Sequence, residues 1–311
     1  MPWKNNTVVM EFILLGLSSE PRTQIIIFVI FLLVFIIILI GNISIIILIV
    51  SDVSLHTPMY FFLGNLSLLD LFYSSTTVPR MLKDLMSLKK TISYAECAIQ
   101  MYIAQALGEN ECILLVIMAY DRYVAICYPL QYTTIMSKTV CVRLAIGTWI
   151  CGFLHSIPHV SLTLSVDLCG NNKINHFLCE MPEILSLGCE NILFMELIIY
   201  VLGVIVLMAP VTFIVTSYVH IIVSILKIAS LAGQRKAFST CGSHMMVVTI
   251  FYGSAIAAYM KPRSSSLPKT DKLIAICYFI ITPMLNPMIY TLRNNDIKKA
   301  FLKFSIGNLF Y

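Results

Sequence analysis

Several charged side chains lie inside long apolar stretches of this chain, where an ionised group is costly unless it has a use. Asp70 and Glu111 are carboxylic acids in such stretches. Glu111 and Arg122 are spaced so that they share one face of a helix, about 16 Å apart along its axis. Arg122 belongs to the string MAYDRYVAIC, at the end of an apolar stretch that begins near Ala98. We interpret the Asp121-Arg122 pair as a switch at the cytoplasmic end of a membrane-spanning helix.

Two asparagines, Asn42 and Asn286, are placed at a depth comparable to that of the acids Asp70 and Glu111. These four groups could form a hydrated core that holds a small cation. They could equally form a hydrogen-bonded packing network in which one carboxyl is protonated, and spacing alone leaves both interpretations open. Glu109 is rotated about 200° from Glu111 around a helix, so it must face elsewhere. It could face a cavity, where it would favour hydrogen-bond donors or cations, or a neighbouring helix.

The composition defines the elements that must position these groups. Of 311 residues, 59% are hydrophobic and 12% charged, and the mean hydropathy is +0.87. A soluble domain averages about 25% charged residues, so the chain is predicted to be an integral membrane protein. Apolar runs that approach the length of about 20 residues needed to cross the hydrocarbon core predict seven spans, at about 25–50, 58–82, 98–122, 140–163, 195–226, 237–260 and 270–292.

The predicted fold class is therefore an all-α membrane protein, a seven-transmembrane helix bundle with a short interfacial eighth helix. Residues 1–24 are expected to be an extracellular N-terminus without a cleavable leader, 25–292 the membrane domain, and 293–311 a cytoplasmic tail. In the tail, Ile297, Ala300, Phe301 and Phe304 lie near one helix face, and Lys298, Lys299 and Lys303 lie near its flank. This pattern predicts a helix that lies on the lipids of the inner leaflet.

The orientation of the chain in the membrane is predicted from its cysteines and a glycosylation sequon. Lys and Arg divide almost evenly between the two predicted sides, so the positive-inside rule does not decide it. Asn5-Asn6-Thr7 is a glycosylation sequon, which acts only on the lumenal side. Four cysteines are predicted on the outer face, where oxidising conditions favour disulfides: Cys97, Cys169, Cys179 and Cys189. Three pairings of these cysteines are open. The chain is expected in the plasma membrane with its N-terminus outside.

Pro210 and Pro287 lie inside predicted spans, where each removes a helical hydrogen bond and permits a kink. Such kinks provide hinges for a bundle with two states, although proline is also simply common in membrane helices. Asn286-Pro287-x-x-Tyr290 is more specific, since a polar side chain beside the kink can satisfy freed backbone groups.

Other functions find little support in the chain. There is no Gly-rich phosphate loop, catalytic triad or metal-binding helix motif, so an enzyme is not expected. His176-x-x-Cys179-Glu180 has the spacing of metal ligands, but an oxidised Cys179 could not bind a metal, and no metal other than sodium is expected. The basic inner residues are interpreted as contacts for lipid headgroups and a protein partner, not for nucleic acid. A channel or transporter that uses Asp70 and Glu111 is the rival class, but no paired broken helices indicate an inverted repeat.

The chain resembles vertebrate odorant receptors, a branch of the rhodopsin-like G-protein-coupled receptors, over almost its whole length. The resemblance rests on strings in matching order and spacing: Gly41-Asn42, LHTPMYFFLGNLSLLD at 55–70, MAYDRYVAICYPLQY at 118–132, Ser217-Tyr218, KAFSTCGSH at 236–244 and PMLNPMIYTLRN at 283–294. Tyr128 and Gln131 replace histidines that are common in the family's second inner loop, and this departure is expected to alter only coupling strength.

The resemblance implies a receptor that catalyses nucleotide exchange on a heterotrimeric G protein of the olfactory stimulatory type and raises cAMP. It implies two bridges, Cys97–Cys179 and Cys169–Cys189. It implies a sodium ion held by Asp70 and Glu111 with Asn286 nearby. It implies that Arg122, in the inner switch formed with Asp121 and Tyr123, is released toward the G protein on activation. Tyr218 and Tyr290 are its implied partners on the inner side.

The resemblance also implies a ligand cavity between the helices. Ala104 stands where aminergic receptors carry an aspartate, and Ile280 stands where opsins carry the retinal-binding lysine, so neither ligand class is expected. Phe251-Tyr252-Gly253 replaces the Cys-Trp-x-Pro motif of other receptors and implies that Tyr252 forms the cavity floor. The mostly apolar pocket positions suit a small volatile odorant; they are Ala104, Gln105, Gly108, Leu202, Val206, Tyr252, Ala255, Ile256, Tyr259, Ile276 and Phe279.

Overall fold

The computed structural model of the chain describes residues 10–168, 172–189, 193–260, 268–293 and 295–307. Helices dominate this part of the chain. In order they are α1 (Pro21–Ser51), α2 (Pro58–Leu85), α3 (Tyr94–Cys127), α4 (Tyr132–Ile135), α5 (Lys138–Leu164), α6 (Met181–Leu185), α7 (Leu193–Leu226), α8 (Leu231–Tyr259), α9 (Pro268–Ile276), α10 (Thr282–Arg293) and α11 (Asn295–Gly307). A π-helical stretch, Cys277–Ile281, joins α9 and α10 into one long segment.

All seven predicted spans coincide with long helical segments in the described residues. Six of the segments are long and apolar enough to cross a membrane by length and composition. The second, α2, is 28 residues long but more polar, because it carries Asp70, Arg80 and Asp84 on faces that are largely buried. The helices run a few residues beyond the predicted limits. For example, α3 begins at Tyr94 because Ser93 and Glu96 form a capping box there.

Helix α3 lies at the centre of the bundle and packs against α2, α5, α7 and α8. Its buried residues run from Cys97 to Val124. By contrast, α1 exposes many aliphatic side chains, such as Ile25, Ile26 and Ile40. An apolar outer surface around a polar-containing interior is the arrangement expected for helices surrounded by lipid.

Two glycines permit close helix contacts. A Cβ at Gly41 would lie 3.0 Å from Pro287 Cγ, so Gly41 lets α1 approach the proline-containing end of the seventh segment. A Cβ at Gly152 would lie 2.4 Å from Asn110 Oδ1, which places that buried asparagine directly against the backbone of α5. The second contact was not predicted from the sequence.

A small sheet at the end of the bundle that was predicted to face outward was also not predicted. Its central strand, β1 (Glu11–Leu14), pairs antiparallel with β2 (Thr91–Ser93) and parallel with β3 (Lys173–Ile174). The prediction of an all-α chain therefore holds for the membrane domain, whereas the N-terminal segment forms part of a sheet. Non-local pairing of this kind leaves no periodic signal in segments of two to four residues.

Helix α11 is the predicted eighth helix. Ile297 and Ala300 are buried, as their position on one face predicts, while Phe301 is 49% exposed. The side chain of Phe304 lies outside the described residues. Lys303 Nζ lies 3.5 Å from Asp52 Oδ2 in the loop after α1. This contact ties the eighth helix to the same side of the bundle as the α1–α2 connection.

Candidate ligand cavity and polar network

A cavity of about 500 Å³ opens among α3, α5, α7, α8 and the π-helical stretch. This volume falls within the range of sites that bind small molecules, about 300–1,000 Å³. Seven of the eleven pocket positions that the resemblance implied are among its lining residues: Ala104, Gln105, Gly108, Val206, Ala255, Tyr259 and Phe279.

The other four positions, Leu202, Tyr252, Ile256 and Ile276, are not among the lining residues. On α8 the reason is the rotation of the helix, which presents Phe251, Ala255, Ala258 and Tyr259 to the cavity. The Tyr252 hydroxyl donates instead to the carbonyl oxygen of Cys112 at 2.9 Å. Tyr252 therefore joins α8 to α3, and the aromatic side chain that reaches the cavity from this dipeptide is Phe251.

Three carboxyl groups that were not predicted as pocket residues also line the cavity: Glu109, Glu180 and Glu196. Glu109 points away from Glu111, as its angular position predicts, and toward α5. It contacts His155 and His159 there, at 3.0 Å and 3.3 Å respectively. The sequence signal for this contact was available in the i, i+4 spacing of the two histidines, but nothing indicated which helix they would face.

The loop between α5 and α7 lines one end of the cavity, from Cys179 to Leu185. The Cys97–Cys179 disulfide, one of the two implied bridges, fixes this loop to the top of α3. The next residue, Glu180, accepts a hydrogen bond of 2.7 Å from the Tyr278 hydroxyl. Burial, followed by the nearby carboxylates of Glu183 and Asp271, raises the pKa of Glu180 to about 8. The loop therefore presents a neutral carboxyl group to the cavity at neutral pH.

His176, in the same loop, belongs to the string His176-x-x-Cys179-Glu180, for which metal binding was not expected. It is 2% exposed, and its Nδ1 accepts a hydrogen bond from the backbone N–H of Leu178. Burial and the nearby Lys272 lower the pKa of His176 to about 4. Cys179 is in a disulfide, and His176 Nδ1 accepts a backbone hydrogen bond. These two residues therefore stabilise the conformation of the loop.

Deeper in the bundle, Asp70, Glu111 and Asn286 lie together with Asn286 beside both acids, whereas Asn42 bonds to backbone carbonyls. Asn286 Nδ2 donates to both carboxyl oxygens of Asp70, at 3.1 Å and 3.0 Å. Asn42 Nδ2 donates to the carbonyl oxygens of Ile38 and Pro283. Asp70 and Glu111 are both fully buried, and Glu111 Oε1 has no hydrogen-bond partner among the described residues. This unsatisfied oxygen beside a second acid fits a small cation.

At the inner end of α3, Arg122 Nη2 lies 3.6 Å from Asp121 Oδ2. Asp121 also accepts a 2.8 Å hydrogen bond from Tyr132 in the second inner loop. The Arg122 side chain is only 13% exposed. Arg122 Nη2 thus lies beside Asp121 but makes no hydrogen bond to any described residue, while Tyr123 contacts Tyr128 by a 3.4 Å hydrogen bond.

The two tyrosines assigned to Arg122 do not bond to it here. The Tyr218 hydroxyl lies 2.8 Å from His244 Nδ1, and His244 Nε2 lies 3.2 Å from the carbonyl oxygen of Leu115. Since a carbonyl only accepts, the proton of His244 is on Nε2 and Tyr218 is the donor to Nδ1. The Tyr290 hydroxyl is buried and has no partner in the described part of the chain. His244 lies in the string KAFSTCGSH, but its role as a connection between α3, α7 and α8 was not predicted.

Two predicted features lie outside the described residues. The sequon at Asn5 is one of them. Cys169 is the other, so its pairing with Cys189 stays a prediction.

A helix bundle with a cavity toward one end and a largely buried Asp121–Arg122 pair toward the other has the architecture of the seven-helix membrane receptors. The family model described as "Olfactory receptor" matches residues 31–306. The chain belongs to the olfactory receptor family, and it is accordingly a multi-pass membrane protein.

The relatives are similar over nearly their whole length. Olfactory receptor 5AR1 of Mus musculus is 47% identical over 97% of this chain and 98% of its own length. Olfactory receptor 2B2 of Homo sapiens is 48% identical over 97% of this chain and 84% of its own length. Olfactory receptor 13C2 of Homo sapiens is 46% identical over 96% of both chains.

Proposed function

We propose that this chain is an odorant receptor of the plasma membrane. It binds small volatile molecules in the cavity between α3, α7 and α8 and activates a heterotrimeric G protein of the olfactory stimulatory type, which raises cAMP. Its N-terminus is extracellular, as the implied disulfide side and the sequon favour. The observation that carries the proposal is the continuity of α3, which lines the outer cavity at Ala104 and ends at the inner Asp121–Arg122 pair.

The walls of the cavity restrict the ligand. Aliphatic and aromatic side chains such as Val206, Ala255 and Phe279 make burial of apolar surface the main source of affinity, at about 25 cal/mol per Å². Gln105, Tyr259 and the carboxyl groups add hydrogen-bonding positions. We therefore expect the ligand to be a small, weakly polar molecule with at least one hydrogen-bond donor or acceptor.

The buried acids support a sodium ion in the receptor's resting state. Asp70 and Glu111 would supply carboxyl oxygens, and Asn286 would hold Asp70 in place. A cation there would offset the cost of two buried carboxylates close together. The rival interpretation is a packing network with one protonated acid, and the dependence of odorant potency on sodium concentration separates the two.

The inner surface supports contacts with the G protein and with lipid. Arg122 is the residue that we expect to leave Asp121 and meet the G protein. Helix α11 exposes Lys298, Lys299 and Lys303 around its buried edge, an arrangement suited to anionic lipid headgroups.

The test is a panel of volatiles applied to cells that express the full chain with a cAMP reporter and the olfactory stimulatory G protein. Ligand-dependent cAMP that disappears without the G protein is expected. The rival channel class predicts ligand-gated current under voltage clamp in the same cells, and such current without cAMP would overturn the proposal.

A further inference from the structure

Two histidines and a glutamate meet at the wall of the cavity between α3 and α5. His155 and His159 are one helical turn apart on α5, and both turn Nδ1 toward Glu109 on α3. The three candidate ligand atoms lie within 4.8 Å of one another. Within the described residues no other group of three His, Cys, Asp or Glu side chains meets this condition.

The distances among the three side chains are close to those within a transition-metal site. Bonds of about 2.0–2.2 Å from Zn²⁺ to nitrogen and oxygen place tetrahedral donors about 3.3 Å apart. Glu109 Oε2 lies 3.0 Å from His155 Nδ1, and Glu109 Oε1 lies 3.3 Å from His159 Nδ1. Because these contacts use different oxygens of the carboxylate, binding of one ion requires a small adjustment of the side chains, and His155 has room to move because it is 42% exposed.

The buried histidine of the site is positioned by its neighbours. His159 is 1% exposed, and its Nδ1 is the ring nitrogen that faces Glu109. Gln105 Nε2 donates to Glu109 Oε1 at 2.8 Å and lies 3.3 Å from His159 Nδ1. Gln105 therefore holds the acid and the buried histidine beside each other on the cavity wall.

We propose that Glu109, His155 and His159 bind one divalent transition-metal ion, of the class Zn²⁺, Cu²⁺, Ni²⁺ or Co²⁺. Two imidazoles and one carboxylate suit these ions and are poor ligands for Mg²⁺ or Ca²⁺, which prefer oxygen only. Three protein ligands leave a fourth position for water. Glu109 and His159 both line the cavity, so the ion has a route to the site and its fourth position can face the cavity.

The experiment uses the full chain, purified in detergent through a peptide epitope tag so that no polyhistidine competes for metal. Co²⁺ is titrated into the chelator-washed receptor, and its visible ligand-field absorption is recorded. We expect one Co²⁺ per receptor in a tetrahedral environment and displacement of that Co²⁺ by Zn²⁺. Neither an odorant nor a G protein is needed, so the result is independent of the proposed signalling function.

Three variants locate the site. Glu109→Gln and His155→Asn should each weaken Co²⁺ binding at least tenfold, whereas His220→Asn, a histidine elsewhere on the helix surface, should leave it unchanged. Equal binding by all three variants and the wild type would overturn the assignment, as would the absence of Co²⁺ absorption in the wild type.

A measurement on the unaltered receptor covers the case in which a variant fails to fold. Diethylpyrocarbonate modifies accessible imidazoles, and mass spectrometry gives the extent of modification at each histidine. Zn²⁺ should protect His155 and leave His56 and His220 modified as before. Equal modification of His155 with and without Zn²⁺ would contradict the site.

Discussion

The hydroxyl of Tyr252 donates a 2.9 Å hydrogen bond to the carbonyl oxygen of Cys112 and joins α8 to α3 beside the cavity. Tyr252→Phe removes this bond without changing the cavity wall. We expect a loss of about 1 kcal/mol in the free energy that holds the two helices together, and a rise in basal cAMP at matched surface expression. All odorants should shift by the same factor. Loss of response to one odorant with normal response to others would instead place Tyr252 in the ligand site.

Substitutions at two neighbouring residues of α8 test which face of that helix lines the cavity. Ala255 lines the cavity, whereas Ile256 does not. Ala255→Phe should fill part of the space and raise the half-maximal odorant concentration at least tenfold, equivalent to about 1.4 kcal/mol. Ile256→Phe is the matched control and should change the response much less. Dose–response curves on both variants, corrected for surface expression, make the comparison, and an unchanged response of Ala255→Phe would exclude this wall.

The helices and the inner motif could be predicted because their signals are local. Apolar runs gave the spans, and the strings around Arg122 and Pro287 identified the class. The wall of the cavity could not be predicted in full, because the roles of Tyr252 and Ile256 depend on the rotation of α8, which packing against α3 determines. The contact of Glu109 with His155 depends in the same way on which face of α5 meets α3. The sheet around Glu11–Leu14 depends on pairing between segments far apart in the sequence.

The inner switch predicts opposite effects for two adjacent residues. Arg122 Nη2 lies 3.6 Å from Asp121 Oδ2, and we propose that this pair holds the resting state. Arg122→Ala should reach the cell surface and give little odorant-dependent cAMP, because the group that meets the G protein is absent. Asp121→Asn should raise basal cAMP several-fold, since the arginine loses its charged partner. Both variants are measured with the cAMP reporter at equal surface expression. Normal signalling by Arg122→Ala would remove the residue from the mechanism.

The contact of α3 with α5 predicts a stability difference between two glycines of the same helix. A Cβ at Gly152 would lie 2.4 Å from Asn110 Oδ1, whereas a Cβ at Gly147 would meet nothing within 4 Å. Gly152→Ala should therefore destabilise the receptor by about 1–3 kcal/mol, the usual cost of overpacking. Gly147→Ala should be neutral or slightly stabilising, because alanine favours the helix. Thermal unfolding of the purified variants measures both. Equal unfolding midpoints would show that Asn110 moves aside without cost.

The buried carboxyl group of Glu180, in the loop that lines the cavity, leads us to predict that the stability of the receptor depends on pH. Burial raises the pKa of Glu180 from 4.5 to about 8. Between these values the unfolded chain releases the proton of Glu180 while the folded receptor retains it. Stability therefore falls as pH rises from about 4.5 to 8, and the full cost is present above pH 8.

Glu180→Gln keeps an acceptor for the Tyr278 hydroxyl and removes the titration. The unfolding midpoint of this variant should exceed that of the wild type by a difference that grows between pH 5 and pH 8. The neighbouring Glu183→Gln serves as the control and should show a much smaller difference. A constant offset between Glu180→Gln and the wild type across this range would mean that the carboxyl group is already ionised in the folded receptor.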